Sequence, residues 1–236
     1  MSTALITGAA KNIGREIALS LAAENINIAL HCNKSIEQAK KTQAEILKKG
    51  VKCKIFNYDL CKTEKIKTLI ENVKKEFKDF DILINNASVF IRASIKDTSE
   101  KIFNEAFQLN FAAPFFLSKA FVMQCKKGNI INLLDTKVAE NDYIYSAYNL
   151  SKKTLAEFTK MGALEFAPKI KVNAIALGII LIKDSDKPLK SLAKKAPLGN
   201  SGRLEDVKKT ISFLLKSTSI TGEIIYLDGG KHLVKI

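Results

Sequence analysis

The chain has no tryptophan, and only two histidines and four cysteines among its 236 residues. Cys32, Cys53, Cys61 and Cys125 form no Cys-x-x-Cys pair, and no histidine cluster joins them at ligand spacing. This argues against a zinc site or a disulfide framework; no metal is expected, and the thiols read as free in a reducing cytosol. No apolar run reaches membrane-spanning length. The longest, near Val172–Ile182, is broken by Asn173 and reads as a buried strand. The N-terminus shows no charged-then-apolar leader pattern, so a cytoplasmic location without membrane contact is expected. Internal repeats, linkers and low-complexity tracts are also missing.

Acidic residues are in short supply, 24 against 38 basic ones, a formal charge of +14. The lysines are scattered in pairs such as Lys40-Lys41, Lys48-Lys49, Lys74-Lys75 and Lys126-Lys127, mostly on predicted helix faces and ends. Without tryptophan or repeated basic-aromatic interleaving, they describe a solvated basic surface rather than a nucleic-acid interface. Such a surface helps to attract an anionic cofactor. Strand and helix patterns alternate regularly along residues 1–236, and 47% of residues are hydrophobic. One α/β domain with a sizeable core is expected.

What is present begins with a strand at Thr3–Thr7, a turn Gly8-Ala9-Ala10-Lys11-Asn12-Ile13-Gly14, and a helix over Glu16–Glu24. Strand, glycine-bearing turn and helix form the context of a dinucleotide site: small residues admit a pyrophosphate, and the helix N-terminus offers free N–H groups. The second strand, Ile26–Leu30, ends in His31-Cys32-Asn33-Lys34-Ser35. An acid that would hold an NAD ribose is absent there until Glu37; Lys34 and Ser35 suit a 2′-phosphate instead, which favours NADPH. Ser35-x-x-Gln38 also reads as a capping box. Further strands are expected at Val51–Asn57, leading to Asp59-Leu60, and at Asp81–Ile84, leading to Asn85-Asn86-Ala87-Ser88-Val89-Phe90. Asp59 suits an adenine amine, and the two asparagines suit bracing of neighbouring turns. Helices are expected over Glu64–Phe77, Ser99–Ala106 and Asn110–Cys125. Asn110 reads either as a helix cap or as the holder of a water beside an active-site lysine.

The apolar run Ile130 to Leu134 reads as a buried strand with Asp135 at its carboxyl end, the edge where open α/β sheets bind ligands. A helix over Tyr145–Phe166 places Tyr148 and Lys152 on one face. A phenol beside an ammonium is a proton-donor arrangement, with the positive charge expected to lower the tyrosine pKa. After a strand at Lys171–Leu177, residues 183–203 read as a substrate lid. A helix at Glu205–Lys216 and a strand at Gly222–Leu227 complete the pattern.

Thr7-Gly8…Gly14, Asn85-Asn86-Ala87, Asn110, Tyr148-x-x-x-Lys152 and Asp228-Gly229-Gly230 together resemble the short-chain dehydrogenase/reductase family along essentially the full length. Thr7-Gly8-Ala9-Ala10-Lys11, Ser88-x-Phe90, Asp135 and the ending Leu227-Asp228-Gly229-Gly230-Lys231-His232-Leu233 narrow the likeness to pteridine reductases, most of all the bacterial dihydromonapterin reductases. Most of the wider family carries serine where Asp135 stands; pteridine reductases carry aspartate.

The resemblance implies a Rossmann-like, doubly wound, seven-stranded and mainly parallel sheet with helices on both faces, and assembly as a homotetramer. It implies NADPH held by Gly8, Lys11, Asn12, Ile13, Gly14, His31, Asn33, Lys34, Ser35, Asp59, Leu60, Asn86, Ala87, Ser88, Tyr148, Lys152, Gly178 and Ile180. The pterin would lie against Ser88, Phe90, Asp135 and Tyr148. Asp135 and Tyr148 would relay the proton, a raised aspartate pKa helping, with Lys152 on the nicotinamide ribose and Asn110 completing the set. The alternative is a 3-oxoacyl-carrier-protein or other carbonyl reductase. Two departures stand out. Asn12 replaces the family's glycine or the pteridine reductases' arginine, leaving Lys11 or Arg15 to supply the cation. Leu177-Gly178 replaces Pro-Gly.

Overall fold

The structure is a computed structural model that describes residues 1–180, 191, 193–200 and 202–234. Seven strands form one sheet: β1 Thr3–Ile6, β2 Asn27–Cys32, β3 Cys53–Asn57, β4 Phe80–Asn85, β5 Gly128–Asp135, β6 Ile170–Leu177 and β7 Ile224–Leu227. Their spatial order is β3-β2-β1-β4-β5-β6-β7, and every pairing is parallel. Both faces are covered, so the inner strands are mostly apolar, and β1 and β2 are buried throughout, with polar residues such as Thr3 and His31 among them. β3, at the edge, is mostly unburied.

The helices described in full are α1 Asn12–Ala23, α2 Ile36–Leu47, α3 Ile66–Glu76, α4 Glu100–Phe107, α5 Ala113–Gln124, α6 Ser146–Phe166 and α7 Leu204–Lys216. One core layer joins the sheet to Ile17 and Leu21 of α1, Ile46 of α2 and Ile211 of α7. The opposite layer uses Ile66, Leu69, Ile70 and Val73 of α3, the spacing of one helical face, with Leu117 and Phe121 of α5. Each such side chain contributes about 1.5–3 kcal/mol when fully buried.

Four local features differ from the sequence expectations. α1 begins at Asn12 rather than Glu16, so the glycine turn runs straight into the helix. Ser35 does stand at the N-cap of α2, but its side chain makes no capping bond. α4 and α5 are joined by a π-helical turn, Gln108–Ala112, that contains Asn110, so Asn110 is not a cap. The joined helix Glu100–Gln124 is long and apolar enough to cross a membrane by length and composition, although no such run stood out in the sequence. It packs along α3 and α6. About half of the expected lid at 183–203 lies outside the described residues.

Candidate active site

The strand order reverses between the parallel neighbours β1 and β4, whose onward connections lead to opposite halves of the sheet, and a cleft of about 630 Å³ opens at their carboxyl ends. Gly8, with φ +65°, makes the turn out of β1. A Cβ on Gly14 would lie 2.5 Å from both Gly8 O and the Asn86 side-chain nitrogen, so only glycine lets α1 approach this closely. Asn12 sits at φ +53°, in the left-handed region that glycine takes freely and asparagine tolerates. That explains how asparagine stands at a family glycine position.

Side chains from neighbouring strands brace this turn. Asn86 Nδ2 donates to Thr7 O at 2.7 Å, and the amides of Asn86 and Ala87 donate to Thr7 Oγ1 at 2.8 and 2.9 Å. The Gly8 amide donates to His31 Nδ1 at 3.1 Å, while His31 Nε2 meets Tyr58 O at 3.0 Å. The imidazole is therefore neutral, with Nδ1 accepting and Nε2–H donating. Burial pushes its pKa down to about 4. His31 lines the cleft as a brace for the glycine turn, not as a free cation for phosphate.

The cleft fits a dinucleotide. The N-terminus of α1 has no side-chain cap, which leaves its N–H groups for an anion. Lys11 and Lys34 line the cleft, and neither meets a carboxylate among the described residues. Arg15 does not supply the cation missing at Asn12, because its guanidinium is bound to Glu16 and Glu45. Of the expected cofactor residues, Gly8, Lys11, Asn12, Ile13, Gly14, His31, Asn33, Lys34, Asp59, Leu60, Asn86, Ala87 and Ser88 line this cleft. Ser35, Tyr148, Lys152, Gly178 and Ile180 do not. Ser35 turns into the start of α2; Tyr148 and Lys152 stand on α6; Gly178 and Ile180 follow β6. Sequence reasoning passed over Cys61, Glu105 and Leu109, which also line the cleft. The positions of Cys61 and Leu109, next to Leu60 and Asn110, were the available signal; Glu105 on α4 offered none.

The chemical centre lies on β5 and α6. The Tyr148 hydroxyl donates to Asp135 Oδ2 at 2.9 Å, and Asp135 Oδ1 accepts the Lys137 amide at 2.8 Å. Both carboxylate oxygens thus act as acceptors, one of them capping the turn that follows. Lys152, buried in α6, donates to Leu133 O at 2.8 Å. Burial pushes its pKa down to about 8, with Asp135 opposing. The expectation that Lys152 lowers the Tyr148 pKa does not hold: burial and the Asp135 carboxylate push it well above 10. Tyr148 therefore keeps its proton at neutral pH.

Asn110 is fully buried, and its side chain is fully used. Oδ1 accepts from Ser88 Oγ at 3.0 Å and from the Val89 amide at 2.9 Å. Nδ2 donates to Val89 O at 3.0 Å and Ser151 Oγ at 3.1 Å. Its side chain has no capacity left for a water. It clamps the loop carrying Phe90 to α6 beside Lys152. Phe90 is 55% exposed, which rules out core packing. It stacks on Tyr145 at 4.4 Å and meets Tyr148 edge-on at 4.7 Å, forming an aromatic shelf over the Tyr148–Asp135 pair.

The chain is similar to several known proteins over nearly its full length. The family model described as enoyl-(acyl carrier protein) reductase matches residues 8–232. The 3-oxoacyl-[acyl-carrier-protein] reductase FabG of Staphylococcus aureus (strain N315) is 31% identical over 241 residues, covering 98% of each chain. FolM alternative dihydrofolate reductase 1 from Brucella canis, complexed with NADP, superimposes with a TM-score of 0.93 at 27% identity, covering 99% of this chain and 95% of that one. Its Brucella suis counterpart, also in complex with NADP, gives 0.92 at 28%, covering 99% and 96%. With its parallel sheet, glycine turn and Tyr148-x-x-x-Lys152 helix, the chain belongs to the short-chain dehydrogenase/reductase family, as an oxidoreductase.

Proposed function

We propose that the chain is an NADPH-dependent reductase that transfers a hydride to a dihydropterin, of the dihydromonapterin or dihydrofolate kind, giving the tetrahydropterin. One observation carries the reading: a carboxylate, Asp135, stands 2.9 Å from the Tyr148 hydroxyl, where a carbonyl reductase uses serine. A ketone oxygen only accepts hydrogen bonds, and a carboxylate beside it is a second acceptor that repels it. A pterin ring presents N–H donors next to ring-nitrogen acceptors. Asp135 can take a donor while Tyr148 gives to an acceptor. Phe90 offers a flat face for a bicyclic ring, which a 3-oxoacyl chain does not need.

NADPH, when bound, supplies the hydride. The glycine turn and α1 N-terminus would take the pyrophosphate, and Lys34 the 2′-phosphate. Lys152, charged below a pH of about 8, would hold the ribose. Tyr148 delivers the proton to the ring nitrogen. A lone phenolate beside Asp135 is unfavourable, so the pair works as a unit that takes its proton back from solvent.

The second reading, a 3-oxoacyl-carrier-protein or other carbonyl reductase, is favoured by the identity with the Staphylococcus aureus enzyme. The Brucella structures, whose name specifies dihydrofolate, a pterin-containing substrate, favour the first. The test is Asp135→Ser, followed by single-turnover rates with saturating NADPH. We expect dihydropterin reduction to fall at least about tenfold with NADPH affinity nearly unchanged. Reduction at the wild-type rate, or equal activity gained on an acyl thioester, overturns the reading.

The enzyme would work in the cytoplasm as a homotetramer. Phe115, Phe116 and Met123 on α5, with Leu150, Met161 and Leu164 on α6, are exposed apolar residues that subunit contacts would cover. Light scattering that finds only monomer at micromolar concentration contradicts the assembly.

A further inference from the structure

A second cavity, of about 560 Å³, shares no lining residue with the dinucleotide cleft. Its link to the chemistry is Tyr145, the residue on which Phe90 stacks. Four cations line it: Arg92 from the loop after β4, Lys137 from the turn after Asp135, Lys195, and Lys231 beyond β7. Two carboxylates, Glu140 and Asp142, oppose them. Asp142 is already committed: it pairs with the Lys137 ammonium and accepts the Ile144 amide at 2.8 Å. That ammonium also lies 5.0 Å from the Tyr145 ring centroid. Arg92, Lys195 and Lys231 have no carboxylate within ion-pair distance among the described residues, and Glu140 is the one acid left to balance them.

These cations come from segments far apart in sequence. Bringing like charges to one concave surface costs energy that an anion supplied from outside would offset. We infer that this cavity is an anion subsite for the charged tail of the substrate, whose ring, if it is a pterin, lies on the Phe90 shelf. The placement of the ring rests on the dihydropterin reading; the subsite itself is tested without it. The shared ligand chemistry is a carboxylate or phosphate oxyanion. It has two sources: the glutamate tail of a dihydrofolate-type pterin, or the phosphate of a phosphopantetheine thioester.

The experiment titrates NADPH-loaded protein, its phosphate sites already filled, with p-aminobenzoylglutamate and separately with 4′-phosphopantetheine, by calorimetry. We expect at least one probe to bind, with affinity that weakens as salt rises. Lys231→Glu and Arg92→Glu should each weaken it about tenfold or more, and Lys231→Gln should do so by a smaller factor, with folding checked by thermal melting. Binding of p-aminobenzoylglutamate alone identifies the tail as glutamate, and binding of 4′-phosphopantetheine alone identifies it as phosphate. If neither probe binds, or the charge reversals leave affinity unaltered in folded protein, the subsite is wrong. Steady-state rates separate this from the pterin reading. If dihydrofolate and an uncharged dihydropterin are both reduced, but the reversals leave the ratio of their kcat/KM values fixed, the subsite falls and the pterin reading stands. If neither is reduced while a probe binds and the reversals abolish it, the pterin reading falls and the subsite stands.

Discussion

Asp135 holds two partners at once: its Oδ2 accepts the Tyr148 hydroxyl at 2.9 Å and its Oδ1 the Lys137 amide at 2.8 Å. Capping and chemistry are therefore separable by substitution. Asp135→Asn can keep the cap through its carbonyl oxygen, so its thermal stability should stay near wild type while dihydropterin turnover falls. Asp135→Ala should lose both, with a stability cost of about 1–2 kcal/mol. Equal turnover in Asp135→Asn and wild type would reduce Asp135 to a cap. Urea titrations run beside the kinetics decide this.

Lys34 is an exposed lysine in the cleft with no carboxylate partner among the described residues. A charge-assisted bond to a 2′-phosphate is worth roughly 1.5–3 kcal/mol. Lys34→Ala should therefore lower kcat/KM for NADPH by about tenfold or more and leave NADH nearly untouched. Comparable use of NADH and NADPH by the wild type would contradict the assignment.

His31 makes the fold acid-sensitive. Its folded pKa is about 4 against 6.5 for the free side chain. As pH falls below 6.5 the unfolded chain takes up a proton that the folded chain refuses until about 4, so stability is lost across that window. The full loss is about 3 kcal/mol. The hydrogen bond to the Tyr58 carbonyl, and after it the Asp59 carboxylate, oppose the shift but do not outweigh burial. Unfolding free energies of wild type and His31→Gln, measured between pH 7 and 4, should converge as pH falls; parallel curves would refute the linkage.

Asn110 bonds Ser88, Val89 and Ser151 from a fully buried position. Asn110→Ala leaves the Val89 amide and carbonyl without partners and should cost roughly 2–4 kcal/mol. It should also raise the substrate KM, because the Phe90 loop loses its clamp. A stability change below about 1 kcal/mol would show that water replaces the side chain.

The strands were legible because a sheet covered on both faces demands predominantly apolar runs, as at Ile130 to Leu134, where Asn132 is the one polar residue. Tyr148 and Lys152 were legible because four residues make about one helical turn. The start of α1 was not: Asn12-Ile13-Gly14-Arg15 has weak helix propensity, and close packing against Asn86 and Gly8 fixes it. The Tyr148 environment also escaped the sequence. Spacing put an ammonium next to the phenol, but the fold turns that ammonium to Leu133 O and gives the hydroxyl a carboxylate. Arg15 looked free to meet a phosphate until the fold brought Glu45 to it from α2. In each case the deciding partner is distant in sequence or fixed by tertiary packing.

The most direct test of the central claim is NADPH oxidation by one enzyme preparation with dihydromonapterin, dihydrobiopterin, dihydrofolate and an acetoacetyl thioester side by side. A site built for ring N–H donors should reject a ketone strongly, so kcat/KM for the best dihydropterin should exceed that for the thioester by at least about a hundredfold. A thioester reduced as fast as the best pterin, or faster, would contradict the dihydropterin assignment.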